Sequence, residues 1–162
     1  MAVLSSLIQA LYDSPLPTAV RESDYAFPVI QTFHVLGIVL MAGTISLVDL
    51  RILGVTLKRQ SAAAVASSLL PITWIGFGIM VLSGGILFAA QSAKIYGNIF
   101  LQVKLALLVI AGLNVVLFHL ATRASIAGWG EAPAPARARA SAAASLALWA
   151  AVIVTGRYIA YY

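Results

Sequence analysis

Cysteine is absent from all 162 residues. That excludes disulfides, thiolate metal sites and cysteine nucleophiles. Charge is nearly as scarce. Asp, Glu, Lys and Arg together make up 9% of the chain, where a soluble domain carries about 25%. Hydrophobic residues make up 62%, and the mean hydropathy is +0.99. A chain so poor in charge cannot cover a water-soluble surface, so its solvent is expected to be a lipid bilayer. Histidine occurs only twice, at His34 and His119. Nothing matches a hydrolase triad, a P-loop, a dinucleotide fingerprint or an HExxH zinc site.

The long apolar runs supply the architecture. A hydrocarbon layer about 30 Å thick takes roughly 20 helical residues to cross. Runs of that length fall at about 24–55, 71–91, 99–122 and 141–160. The expected fold is all-α: an integral membrane, antiparallel four-helix bundle forming a single membrane domain over 1–162. Leu4, Leu7, Ile8 and Leu11 recur at helical spacing and predict a short N-terminal helix lying in the interface. Pro15 and Pro17 end it, and residues 18–26 read as a polar lead-in. VTLKRQSAAAVASS reads as a polar loop after which Pro71 opens the second span. RASIAGWGEAPAPARARA reads as a flexible loop.

The net charge of +5 reads as the basic bias of cytoplasmic loops rather than as a nucleic-acid footprint. One side of the bundle holds Arg51, Lys58, Arg59, Arg123, Arg137 and Arg139, with Asp49 and Glu131. The other holds Arg21, Lys94, Lys104 and Arg157, with Asp13, Glu22 and Asp24. This asymmetry predicts an inner membrane protein with both termini periplasmic and the richer loops cytoplasmic.

Ionisable groups at membrane depth are costly and usually have a partner or a task. Neutral imidazole is a haem axial ligand and a good ligand for copper or zinc; it also serves as a polar group that packs helices. With a rise of 1.5 Å per residue, His34 lies roughly 10–12 Å below the outer boundary and His119 roughly 6 Å from the inner one. The separation along the membrane normal is then roughly 12–16 Å. This suggests two sites, or one site and one structural histidine. Near the level of His34, Ser83, Gly84 and Gly85 allow close helix approach or leave room for a flat macrocycle. Lys104 and Arg157 sit where they can pair with haem propionates or snorkel to headgroups. Asp49 and Arg51 lie about 200° apart on a helix, so they do not face each other. Asp49 is expected to face inward and to act in a structural ion pair or a proton relay. Gln31 shares a face with His34, and either it or Asn114 can orient an imidazole or bridge helices. Met41 and Met80 sit at mid-depth, as core residues or as soft ligands.

Three strings carry a resemblance: FPVIQTFHVLGIVLMAGTISLVDLRILG, KLALLVIAGLNVVLFH and LWAAVIVTGRYIAYY. They resemble a family of small, four-helix bacterial membrane proteins of unknown function. More loosely, HVLGIVLMAG is similar to haem-linked membrane bundles, including bacterial membrane protoporphyrinogen oxidase and b-type cytochrome subunits, and to copper-import bundles. The looser similarity implies a haem b or copper site at His34 and a further one at His119. The chain lacks the paired same-height histidines of di-haem cytochromes and the Met- and His-rich clusters of copper importers. The leading expectation is a haem b-binding electron-transfer protein or the membrane subunit of a redox complex. Its ligands would be His34 and His119, with Gly84 and Gly85 making space. Its partners would be the lipid bilayer and either a second copy or a larger membrane complex. The alternatives are a non-redox accessory subunit and a copper or proton transporter using His34, Met41, Met80 and Asp49.

Overall fold

The computed structural model describes residues 2–122, 126–129 and 134–161. Arg123 and Glu131, used above to orient the chain, lie outside the described residues. Helices α1 (Ala2–Tyr12), α2 (Pro15–Glu22), α3 (Ala26–Ile52), α4 (Ala62–Ile95), α5 (Ile99–Thr122) and α6 (Ala136–Tyr158) follow one another, with a short 3-10 turn at Ile126–Trp129. The described residues contain no strand. Four helices, α3 to α6, are long and apolar enough to cross a membrane.

Three helix starts differ from the sequence expectation, and one of them is α6, which begins at Ala136, inside the stretch read as a flexible loop, rather than at about 141. Residues 15–22 form α2 rather than a lead-in, because Pro15 stands at the helix N-terminus, where its missing N–H costs nothing. The second spanning helix begins not at Pro71 but at Ala62. Ser61 caps it, its hydroxyl accepting from the Ala64 amide at 3.1 Å, a typical helix start. Pro71 is tolerated inside α4 because its ring is exposed and because long apolar helices often carry proline.

The end of α3 is set by glycine. Gly54 adopts φ +76; its amide donates to the Arg51 carbonyl at 3.0 Å, and the Val55 amide reaches Leu50 at 2.9 Å. This is the Schellman pattern, which requires a residue in the left-handed region.

Consecutive spanning helices run antiparallel. The close pairs are α3 with α4 and α5 with α6, and the two hairpins meet where α3 packs on α6. Helices α4 and α5 pack little on each other, so the bundle is open along that side. At about 1.5 Å per residue, the 34-residue α4 is about 51 Å long and outruns the hydrocarbon layer. At the end that carries the chain termini, α1 and α2 pack on it, with Ala90 and Ser92 fully buried. At the opposite, loop end, Ala62 joins Ile52, Ala134, Ala138 and Ala142 in a core of small residues, flanked by Phe118, Ile126 and Trp129.

Elsewhere large apolar side chains point outward. Val39, Trp74, Ile75, Leu82, Val109, Leu117 and Leu120 are each more than half exposed. A water-soluble monomer does not present so continuous an apolar surface, whereas hydrocarbon tails solvate it at no cost.

Candidate functional site

The α3/α4 seam holds the most closely packed polar group. Its centre is a reciprocal glycine contact. A Cβ on Gly37 would meet the Met80 nitrogen at 2.8 Å, and one on Gly76 would meet the Met41 nitrogen at 2.6 Å. Only glycine lets the two backbones come this close. On the loop side of that contact the Thr44 and Thr73 hydroxyls bond at 2.8 Å. On the terminal side the His34 ring crosses to α4. Its Nδ1 lies 3.1 Å from the Met80 carbonyl oxygen and 3.0 Å from Ser83 Oγ. Met41 is fully buried beside the glycines.

Hydrogen-bond chemistry fixes the histidine tautomer. The Met80 carbonyl can only accept, and the Ser83 hydroxyl already donates to the Ile79 carbonyl. Nδ1 therefore carries the proton, which leaves Nε2 with its lone pair. A ring N–H given to a backbone carbonyl is the usual outer support of an imidazole that ligates through its other nitrogen.

Gly84 has a different job from the one expected. A Cβ there would lie 2.9 Å from His34 Cε1 and 3.3 Å from Nδ1. The imidazole itself fills the space, so this glycine seats the ring. Gly85 is exposed, with nothing within 4 Å of a Cβ placed on it.

The other two expected site residues come from the second hairpin. Lys104 on α5 is close enough to His34 to interact with it electrostatically. Its side chain is half-buried and lies across α6 at Gly156, where a Cβ would meet Nζ at 3.3 Å. Arg157, next in the chain, donates to the Tyr161 hydroxyl and stacks on that ring at 4.9 Å. His34, Gly84, Lys104 and Gly156 thus bring all four spanning helices into one region near the terminal end.

His119 does not join them. It is exposed and lies three residues from the loop end of α5. Asn114 bridges helices rather than facing an imidazole. Its Nδ2 donates to the Ser141 carbonyl at 3.1 Å and its Oδ1 accepts from the Ser141 hydroxyl at 2.9 Å. Gln31 is exposed in a shallow surface groove of about 400 Å³ with Pro28, Thr32, Val35 and Leu36. A second groove, of about 300 Å³, lies at the loop end between Asn114, Phe118, Trp129 and Arg137.

Asp49 is buried, as expected for it. It is 7% exposed and lies near the buried Ser145 of α6. Its Oδ2 has no hydrogen-bond partner. Arg51, equally buried, turns to the α3–α4 loop and donates through Nε to the Gln60 carbonyl.

Among the described residues no three His, Asp or Glu side chains converge as a metal cage would require. A metal centre at the terminal end would take a single imidazole from this chain, and a macrocycle that brings four of its own donors suits such a site better than a bare ion.

The fold and site define a class: an antiparallel bundle with the make-up of a multi-pass membrane protein, carrying one supported imidazole in a seam between helices. Within that class, residues 24–162 match the model of a family of unknown function (DUF6644), and the chain belongs to that family. No curated protein and no solved structure matches it. The α1–α2 segment up to Ser23 precedes the matched region.

Proposed function

We propose that the protein is a haem b-binding subunit of a membrane redox complex, in the bacterial inner membrane with both termini periplasmic. The observation that carries this reading is the bond from His34 Nδ1 to the Met80 carbonyl, which leaves Nε2 as a neutral, oriented donor. His34 would hold the haem iron through Nε2, with Gly84 seating its ring. Lys104, together with Arg157 beside Gly156, supplies cations for propionates. The haem would supply one-electron chemistry at the iron. The protein's part is to fix the ligand, to neutralise carboxylates and to hold the group in an apolar layer. His119, exposed at the other end, serves a second haem held against another copy or a partner subunit.

The test is the absorption spectrum of protein purified after expression with ample haem. A Soret band lost in His34→Ala and retained in Gln31→Ala is the expected result. A colourless protein, with no His34-dependent band on haemin titration, overturns the reading.

The same geometry favours a second reading. His34 and the Thr44–Thr73 pair flank the glycine contact on either side, as clamps in a non-redox accessory subunit would. In that case His34→Ala costs about 1 kcal/mol of bundle stability and changes no spectrum.

A further inference from the structure

The seam between α3 and α6 holds a buried carboxyl oxygen with an unmade bond. Among the described residues two buried side-chain atoms have no hydrogen-bond partner: Asp49 Oδ2, an acceptor, and Trp149 Nε1, a donor. Trp149 lies four residues after Ser145 on α6 and so shares its face. Ser145 is itself buried against Asp49. Native structures rarely leave such atoms unpaired without water, an ion or a functional reason. A carboxyl at this depth with an unmade bond costs more as an anion than as a neutral acid.

Among the described residues no charged side chain bonds to Oδ2. Arg51 is turned to the Gln60 carbonyl. Arg137 and Arg139 on α6 are exposed. The only charged residue of α4 is Lys94, at the opposite end. Asp49 is three residues from the loop end of α3, about 5 Å from that boundary, so water has a short way in.

We propose that Asp49 is a proton-exchange site. Its Oδ2 takes a proton from hydronium in the aqueous phase at the loop end, forming an O–H bond, and returns it to water there. Water admitted to the seam bonds the two orphaned atoms. The site binds a proton and carries no electron. It does not rest on the haem reading, because it lies at the other end of the bundle from His34.

The chain contains three aspartates, Asp13, Asp24 and Asp49, and the first two are exposed outside the spanning helices. Carboxyl-13C-aspartate protein in phosphatidylcholine vesicles, followed by infrared spectroscopy over a pH series, reads each population. One labelled carboxyl should show a protonated-acid C=O stretch at neutral pH, shift in D2O and disappear at alkaline pH. Asp49→Asn should remove that band. Ser145→Ala, which keeps the carboxyl, should move the pH midpoint of the band. Three ionised carboxylates at neutral pH overturn the proposal. So does a protonated band that survives Asp49→Asn, or one that responds to neither pH nor D2O. An unmoved midpoint in Ser145→Ala removes the seam from the assignment.

Discussion

Replacing Gly76 by alanine would place a methyl group 2.6 Å from the Met41 nitrogen and 2.8 Å from Leu40 Cβ. Ordinary contact begins at 3.4 Å, so the helices must part by about 0.8 Å. Both obstacles lie on or next to the α3 backbone, and neither can swing aside as a side-chain tip would. A gap of that size forfeits roughly a quarter to a half of each dispersion contact it opens. It also carries the Thr44–Thr73 bond from 2.8 Å, and the His34 bonds from 3.0 and 3.1 Å, past the 3.5 Å limit. Overpacking costs about 1–3 kcal/mol, and interhelical hydrogen bonds in membranes add about 0.6 kcal/mol each. The expected loss is therefore roughly 3–5 kcal/mol. Reversible unfolding by SDS in mixed micelles, followed by far-ultraviolet circular dichroism, measures it. Gly78→Ala is the control. A Cβ there meets nothing within 4 Å, and alanine is favoured over glycine in a helix by roughly 0.5–1 kcal/mol. If Gly76→Ala and Gly78→Ala unfold at the same SDS fraction, the close approach of α3 and α4 is wrong.

Two other expectations follow from the caps and clamps. The Ser141 hydroxyl bond to Asn114 Oδ1 should show a coupling of about 0.6 kcal/mol in a double-mutant cycle of Asn114→Ala and Ser141→Ala, read by the same SDS titration; additive losses would mean that this bond does not form. Gly54→Ala should cost about 1–2 kcal/mol because alanine must enter the left-handed region, and thermal unfolding at an unchanged temperature would contradict that helix end.

The spanning helices were legible because each is a long apolar run, and such runs hardly occur otherwise. The start of α4 was misread because Pro71 is a strong local signal and Ser61 a weak one, yet the serine caps the helix. The angular distance of Asp49 to Arg51 showed that the two do not face each other but not which is enclosed, and both are buried. That Asp49 Oδ2 would be left without a hydrogen bond was not legible, because this depends on which residues of α6 stand opposite. The separation of His34 from His119 followed from counting residues along each helix. The role of Gly84 could not follow from counting, since it turns on how the ring crosses the seam. Gly37 and Gly76 carried a signal that register obscures: each sits a turn or less from a threonine or a methionine on its own helix, but only the antiparallel alignment shows that they meet. Gly156 was hidden in the same way, beneath a lysine from another helix.

The polar fasteners of this bundle are ordered along the chain. Those joining α3 to α4 lie between residues 34 and 83, and those joining α5 to α6 between 114 and 141. Among the described residues, Asp49 beside Ser145 and Lys104 near His34 span the two groups. A ribosome delivering the chain from its N-terminus can therefore let the first hairpin latch before the second is made. The second then latches on itself, and the union of the two comes last, enclosing a carboxyl group as it forms.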